Sequence, residues 1–140
     1  KYDGRSFTNY SAKEGFSSVN INTIIQDNAG FIWIGCNDGV YKFDGKVFVK
    51  YTEKEGLSNN SVLRILEDKS NFIWFGTAKG VSKYDRETET ITNYTQHEGF
   101  SSNAIESIFE DKNSDIWFGT YNDGLFNYFI KNNKSNNQLK

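Results

Sequence analysis

Apolar residues along this chain come in short bursts rich in β-branched and aromatic types, and turn-forming residues interrupt them every six to ten positions. No stretch sustains a helical apolar period over even 11 residues. The middle of the chain shows the pattern best. Ser61 to Glu67 reads as a strand, and a turn at Asp68-Lys69-Ser70-Asn71 follows. Phe72 to Thr77 is the next strand, then a turn at Ala78-Lys79-Gly80, a strand over Val81 to Tyr84, and a last one over Thr90 to Thr95. The expected class is all-β.

The same four-strand pattern occurs three times. Phe31-Ile32-Trp33-Ile34-Gly35, Phe72-Ile73-Trp74-Phe75-Gly76 and Asp115-Ile116-Trp117-Phe118-Gly119 are near-copies, with their tryptophans 41 and 43 residues apart. Asp27, Asp68 and Asp111 each lie six residues before a Trp, and Tyr10, Tyr51 and Tyr94 each lie 23 before one. The two extra residues of the second interval fall between Asp85 and Tyr94, in a turn, so the strands keep their register. Asp3-Gly4 and Asp44-Gly45 read as tight hairpin turns, because the Asp-Gly pair supplies the positive φ such turns need. A repeat of about 42 residues built from four strands fits the blade of a β-propeller.

The run Val62-x-x-Ile65-x-x-Asp68, Ile73-Trp74-Phe75-Gly76-Thr77, Gly80-Val81, Tyr84-Asp85, Ile91-x-x-Tyr94 and the linker Gly99-Phe100-Ser101-Ser102-Asn103 resembles the two-component regulator propeller repeat. The resemblance covers residues 1 to about 129 and departs at Cys36, where the other copies have Thr77 and Thr120. It implies a non-catalytic sensing or ligand-binding propeller of a signalling receptor, located outside the cytoplasm. An oligosaccharide or another small polar molecule is the implied ligand class. The alternative is a protein-interaction or assembly scaffold; a propeller lyase or glycosidase ranks below both.

The repeats are cut out of phase with the blades. Residues 1–10 are expected to be the outer strand of an incomplete blade, 11–51 the first repeat and 52–94 the second. Residues 95–130 form a third repeat lacking its outer strand, and 131–140 a polar tail or linker. Three blades are fewer than the four to eight of a closed ring. One expectation is therefore a homo-oligomer, with a dimer favoured, in which each copy donates its N-terminal strand to the last blade of the next. The other is a piece of a longer receptor.

Composition narrows the chemistry. A formal charge of −2 gives no basic field for a nucleic acid, and no run of about 18 apolar residues is present to cross a membrane as a helix. One cysteine (Cys36) and one histidine (His97) are too few for a structural zinc site or a Cys–His nucleophile, so no metal or cofactor is expected. The three tryptophans are read as packing between neighbouring blades, and the three aspartates as turn residues accepting backbone amides two positions on. Glu14, Glu55 and Glu98 recur before Gly in the linkers, where a ring of carboxylates around the channel would hold a cation or a basic ligand. The residues that differ among copies on the same face are the better candidates for specificity: Asn37 and Asp38, Lys79, Tyr121, Asn122 and Asp123, and His97. Aromatic, amide and charged groups around a concave mouth suit a carbohydrate, through stacking and directional hydrogen bonds. No convergent set of acid, base or metal ligands stands out, and no catalytic residue is named.

Overall fold

A computed structural model of the chain describes residues 4–18, 20–94, 103–130 and 137–139. Among the described residues, twelve strands form three antiparallel sheets of four. The first sheet runs β1 (Ile21–Gln26), β2 (Ile32–Cys36), β3 (Gly39–Phe43), β4 (Phe48–Tyr51). The second runs β5 (Val62–Glu67), β6 (Ile73–Thr77), β7 (Gly80–Asp85), β8 (Thr90–Tyr94). The third runs β9 (Ile105–Glu110), β10 (Ile116–Thr120), β11 (Leu125–Ile130), β12 (Asn137–Leu139). Each sheet is a meander, and the sheets stack in chain order, with β5 lying against β1 and β2, and β9 against β5 and β6.

Two boundaries differ from the sequence expectation. The third sheet has a fourth strand from its own chain, because Asn137, Gln138 and Leu139 pair with Ile130, Phe129 and Tyr128. The segment read as a polar tail thus completes the blade expected to lack an outer strand; backbone pairing needs no particular side chain. Residues 5–10, read as an outer strand, form no strand. Tyr10 still packs edge-on against Phe43 and Phe48, with ring centroids 5.2 and 5.8 Å away. The edge that a donated strand was expected to fill is occupied.

The two-residue insertion lengthens a hairpin. In the first sheet β3 and β4 end on the pair Phe43–Phe48, and in the second β7 and β8 continue one pair further, to Asp85–Thr90. Four residues bridge the strands in both, so the Asp44-Gly45 turn is not the two-residue hairpin that its Asp-Gly pair suggested. Asp44 instead accepts the amides of Lys46 and Val47, both at 2.8 Å, while Gly45 takes φ +102°.

The core lies between sheets. Trp33 of the first sheet is fully buried against Phe75 and Tyr84 of the second, with centroids 5.5 and 5.2 Å apart. Trp74 repeats this against Phe118 and Tyr128 of the third, at 5.5 and 5.0 Å. Beside each Trp stands the tyrosine of its own outer strand, Tyr51 or Tyr94. Each indole is also pinned at its polar end. Asp27 Oδ2 accepts Trp33 Nε1 at 2.8 Å while its Oδ1 accepts the amides of Ala29 and Phe31. Asp68 and Asp111 do the same for Trp74 and Trp117. One carboxylate therefore shapes the turn and orients the residue that joins two blades.

Candidate functional site

The end of the stack where each linker enters its first strand also carries the turn between the second and third strands. Three hydrogen bonds repeat the join: Asn37 N to Asn20 O at 3.2 Å, Ala78 N to Ser61 O at 3.0 Å and Tyr121 N to Ala104 O at 2.9 Å. Neighbouring sheets are linked there as well. Asn22 Nδ2 donates to Asn37 Oδ1 and to Val62 O, both at 2.9 Å, and Gly80 N donates to Asn103 O at 3.2 Å. Three equivalent turns thus form one continuous end face.

Their chemistry differs. Asn37 and Asp38 belong to the first turn, where Asp38 Oδ2 pairs with Lys50 Nζ at 3.1 Å on the solvent side. Burial raises the Asp38 pKa, but hydrogen bonds from Ser18 and Lys50 and the Lys50 charge outweigh it and hold the group below the usual carboxylate range. Lys79 is exposed in the second turn, which Thr77 Oγ1 braces by accepting Lys79 N and donating to Gly80 O. In the third turn Thr120 Oγ1 makes the equivalent bonds with Asp123 N and Gly124 O. It presents Tyr121, Asn122 and Asp123 to solvent, the tyrosine 74% exposed. Cys36 replaces the bracing threonine in the first turn. It is fully buried, and burial first, with the Asp38 charge, raises its thiol pKa.

The carboxylate ring is not what Glu14 and Glu55 build. Glu14 Oε1 accepts Ser11 N at 2.7 Å and Ser11 Oγ at 3.1 Å; Glu55 Oε1 accepts Thr52 N at 2.6 Å and Thr52 Oγ1 at 2.9 Å. These are the reach-back bonds of a capping box on the short 3₁₀ turns Ala12–Glu14 and Glu53–Glu55. The glycines that follow pack over the outer strands, Gly15 by Phe48 and Gly56 by Ile91, so these glutamates sit away from the inner strands. His97 and Glu98 lie outside the described residues. Among the described residues no group of three His, Cys, Asp or Glu side chains is placed to hold a metal ion.

Asn22 is a site residue that the sequence pattern did not single out. Each first strand has a bulge opposite the Gly of the Trp-x-Gly motif, and Asn22, Leu63 and Glu106 are the extra residues. A bulge re-aims its side chain without demanding a residue type, so nothing in the sequence announces it.

On the opposite end, Arg86 Nη1 reaches Asp27 Oδ2 at 3.1 Å and Glu67 Oε2 at 3.0 Å, clamping the first two sheets. Burial pushes the Asp27 pKa up. The bonds from Trp33, Phe31 and Arg86 and the Arg86 charge prevail, and its folded pKa lies below the ordinary value of 3.8. A depressed folded pKa means stability that is present above about pH 4 and is lost as pH falls through the folded pKa. Asp27→Asn should therefore lose about 2 kcal/mol at neutral pH, and its deficit against the parent should shrink on acidification. Urea unfolding of both proteins at several pH values checks this; a deficit that does not change with pH would mean that the carboxylate charge contributes nothing.

Residues 15–38, 56–79 and 99–122, together just over half of the chain, match the Two component regulator propeller family. No curated protein matches the chain at a significant level. Among solved structures it resembles the extracellular domain described for the hybrid two component system BT3049 of B. thetaiotaomicron, at 29% identity and a TM-score of 0.73. That match covers 83% of this chain and 16% of the larger domain. A second likeness, to PorZ, a surface component of the type-IX secretion system of Porphyromonas gingivalis, has 17% identity and a TM-score of 0.68 over 99% of this chain and 23% of PorZ; it shows the fold alone. The chain thus spans less than a quarter of either structure. With three matching repeats, each folded as one four-stranded sheet, the chain belongs to the two-component regulator propeller family.

Proposed function

We propose that this chain is part of the ligand-sensing propeller of an extracytoplasmic signalling receptor, and that it takes an oligosaccharide on the end face formed by the turns at 37–38, 78–79 and 121–124. The observation that carries the reading is that three structurally equivalent turns bear unlike polar side chains, one of them an exposed tyrosine. A repeat scaffold needs the turns to be alike only in backbone, so their chemistry is free to serve recognition. The tyrosine ring offers a face for a sugar ring, while Asn37, Lys79, Asn122 and Asp123 offer donors and acceptors for its hydroxyls. Signalling output would lie in other parts of the receptor, as the likeness to an extracellular domain of a hybrid two component system suggests.

The test is calorimetric titration with a panel of neutral and acidic oligosaccharides. At least one should bind saturably and remain intact. Tyr121→Ala should weaken it about tenfold, equivalent to ~1.4 kcal/mol. Asp44→Ala, at the other end of the sheet, should leave binding unchanged. Turnover of the glycan would point to an enzyme, and unchanged binding by Tyr121→Ala would remove this face as the site.

A further inference from the structure

A cleft of about 290 Å³ lies between the first and second sheets, beside the outer strand β4. Phe31, Val47, Val49 and Tyr51 of the first sheet form its apolar wall. Asp44 and Glu89 reach it from the outer hairpin turns of the two sheets. Val47 is 57% exposed and Val49 47%. The second sheet has Thr90 and Thr92 at these positions, so the repeat itself does not require apolar side chains there.

The same strand carries a second row of unmet groups. β4 is the edge of its sheet and pairs only with β3. Asp44 N donates to Val47 O at 3.3 Å, and antiparallel alternation then turns Val49 and Tyr51 toward β3. Phe48 and Lys50 are left to direct N–H and C=O out of the sheet. Lysine on an edge usually repels a further strand, but Lys50 is drawn aside to Asp38 at 3.1 Å. Charge in the cleft is also unbalanced. Among the described residues neither Asp44 nor Glu89 has an ion-pair partner. The cation in the lining, Lys42, sits over the Phe31 ring at 4.1 Å.

We propose that an extended segment of a partner protein, alternating apolar and basic residues on one face, adds to β4 and lays that face in the cleft. A lipid chain would cover the valines and leave the backbone groups bare; a strand answers both. Residues of the added strand opposite Phe48 and Lys50 exchange backbone hydrogen bonds with them and turn their side chains away from the cleft. The residues between face the cleft, two positions apart. One apolar side chain then covers Val47 and Val49. The next, a Lys or Arg, runs its stem along the apolar wall and brings its charge to Asp44 and Glu89. Main-chain pairing supplies affinity, and the valines with the two carboxylates supply the choice of sequence.

The experiment is fluorescence anisotropy of a short labelled peptide, with Val and Lys at alternate positions and Thr between them, titrated with the whole chain. The parent should bind it saturably. Val49→Thr installs the residue found in the second sheet and should weaken binding about fivefold; Glu89→Gln should weaken it about threefold. Both positions are exposed, so the variants should keep the parent's circular dichroism. A peptide with Glu in place of Lys should bind about tenfold more weakly. Pro at the central Thr removes an N–H that β4 would accept and should abolish binding. Absence of saturable binding would overturn the proposal, as would undiminished binding by Val49→Thr, of the proline peptide or of the glutamate peptide. If light scattering instead finds the parent dimeric and Val49→Thr monomeric, with no peptide bound, the edge belongs to a second copy and the proposal falls.

Discussion

Gly76→Ala should cost about 3 kcal/mol, the upper part of the range for overpacking a well-filled core. The strain is not conformational, since Gly76 is not among the residues with positive φ. It comes from space. A Cβ at Gly76 would lie 2.6 Å from Ile105 Cγ2 and 2.9 Å from its Cβ. Ile105 opens the first strand of the third sheet and is fully buried, so relief requires the two sheets to part. Parting them also loosens Trp74 from Phe118 and Tyr128. Gly35→Ala should behave similarly, its Cβ falling 2.7 Å from Thr23 Cγ2 of its own sheet, 2.9 Å from Val62 Cγ1 and 3.2 Å from the Val62 carbonyl oxygen of the next. Gly119→Ala is the control. There the new methyl approaches only the Ser107 hydroxyl, which can rotate away, and the loss should stay under about 1 kcal/mol. Urea unfolding of the three variants measures this. Equal losses at 76 and 119 would show that the glycine serves strand geometry inside its own sheet, not the approach of the next one.

This glycine illustrates what a single sequence discloses. The constant Trp-x-Gly spacing marks a strand and its repeat, and the sheets follow from it. That the Gly faces the incoming strand of the next blade depends on how sheets stack, which no local pattern encodes. The same holds for the aspartates. Their six-residue distance from each Trp is plain in the sequence, and the turn chemistry was read from it. The indole hydrogen bond needs the turn and the strand together, and only the folded sheet shows that one carboxylate performs both roles. The outer strand of the third blade was hidden for another reason: Asn-Gln-Leu has no β-forming bias, and its pairing rests on backbone groups.

At the candidate site the legible and the misread lie side by side. The turns at 37–38, 78–79 and 121–124 lie at one end of the sheets, because β-meander connectivity puts every second-to-third-strand turn at the same end. Glu14 and Glu55 carry the signal of a capped turn. Ser11-x-x-Glu14 and Thr52-x-x-Glu55 are capping-box spacings, and both carboxylates are held by the residue three positions earlier. Hydrogen bonds from Thr52, backbone first and then side chain, also depress the Glu55 pKa. A repeated charge next to a repeated turn is explained first by the turn; the unrepeated side chains are left for recognition.

Asp68→Ala should be the most damaging change of a polar residue, with an expected loss of about 3 kcal/mol. The side chain accepts three hydrogen bonds in a nearly closed space: Trp74 Nε1 at 2.8 Å, Ser70 N at 2.9 Å and Phe72 N at 3.0 Å. Alanine would leave the indole N–H buried without an acceptor, because Trp74 is 1% exposed and the third sheet packs over it with apolar rings. Truncating Trp74 to Phe removes the donor and part of the packing, so it should cost about 2 kcal/mol by itself. The double variant should cost less than the sum of the two, by about 1.5 kcal/mol, because the unpaired donor and its lost acceptor disappear together. Additive losses would mean that Asp68 acts only through the turn amides. Asp111→Ala provides the gradient. Trp117 has the same bond but stands at the open face with water at hand, so its loss should be visibly smaller.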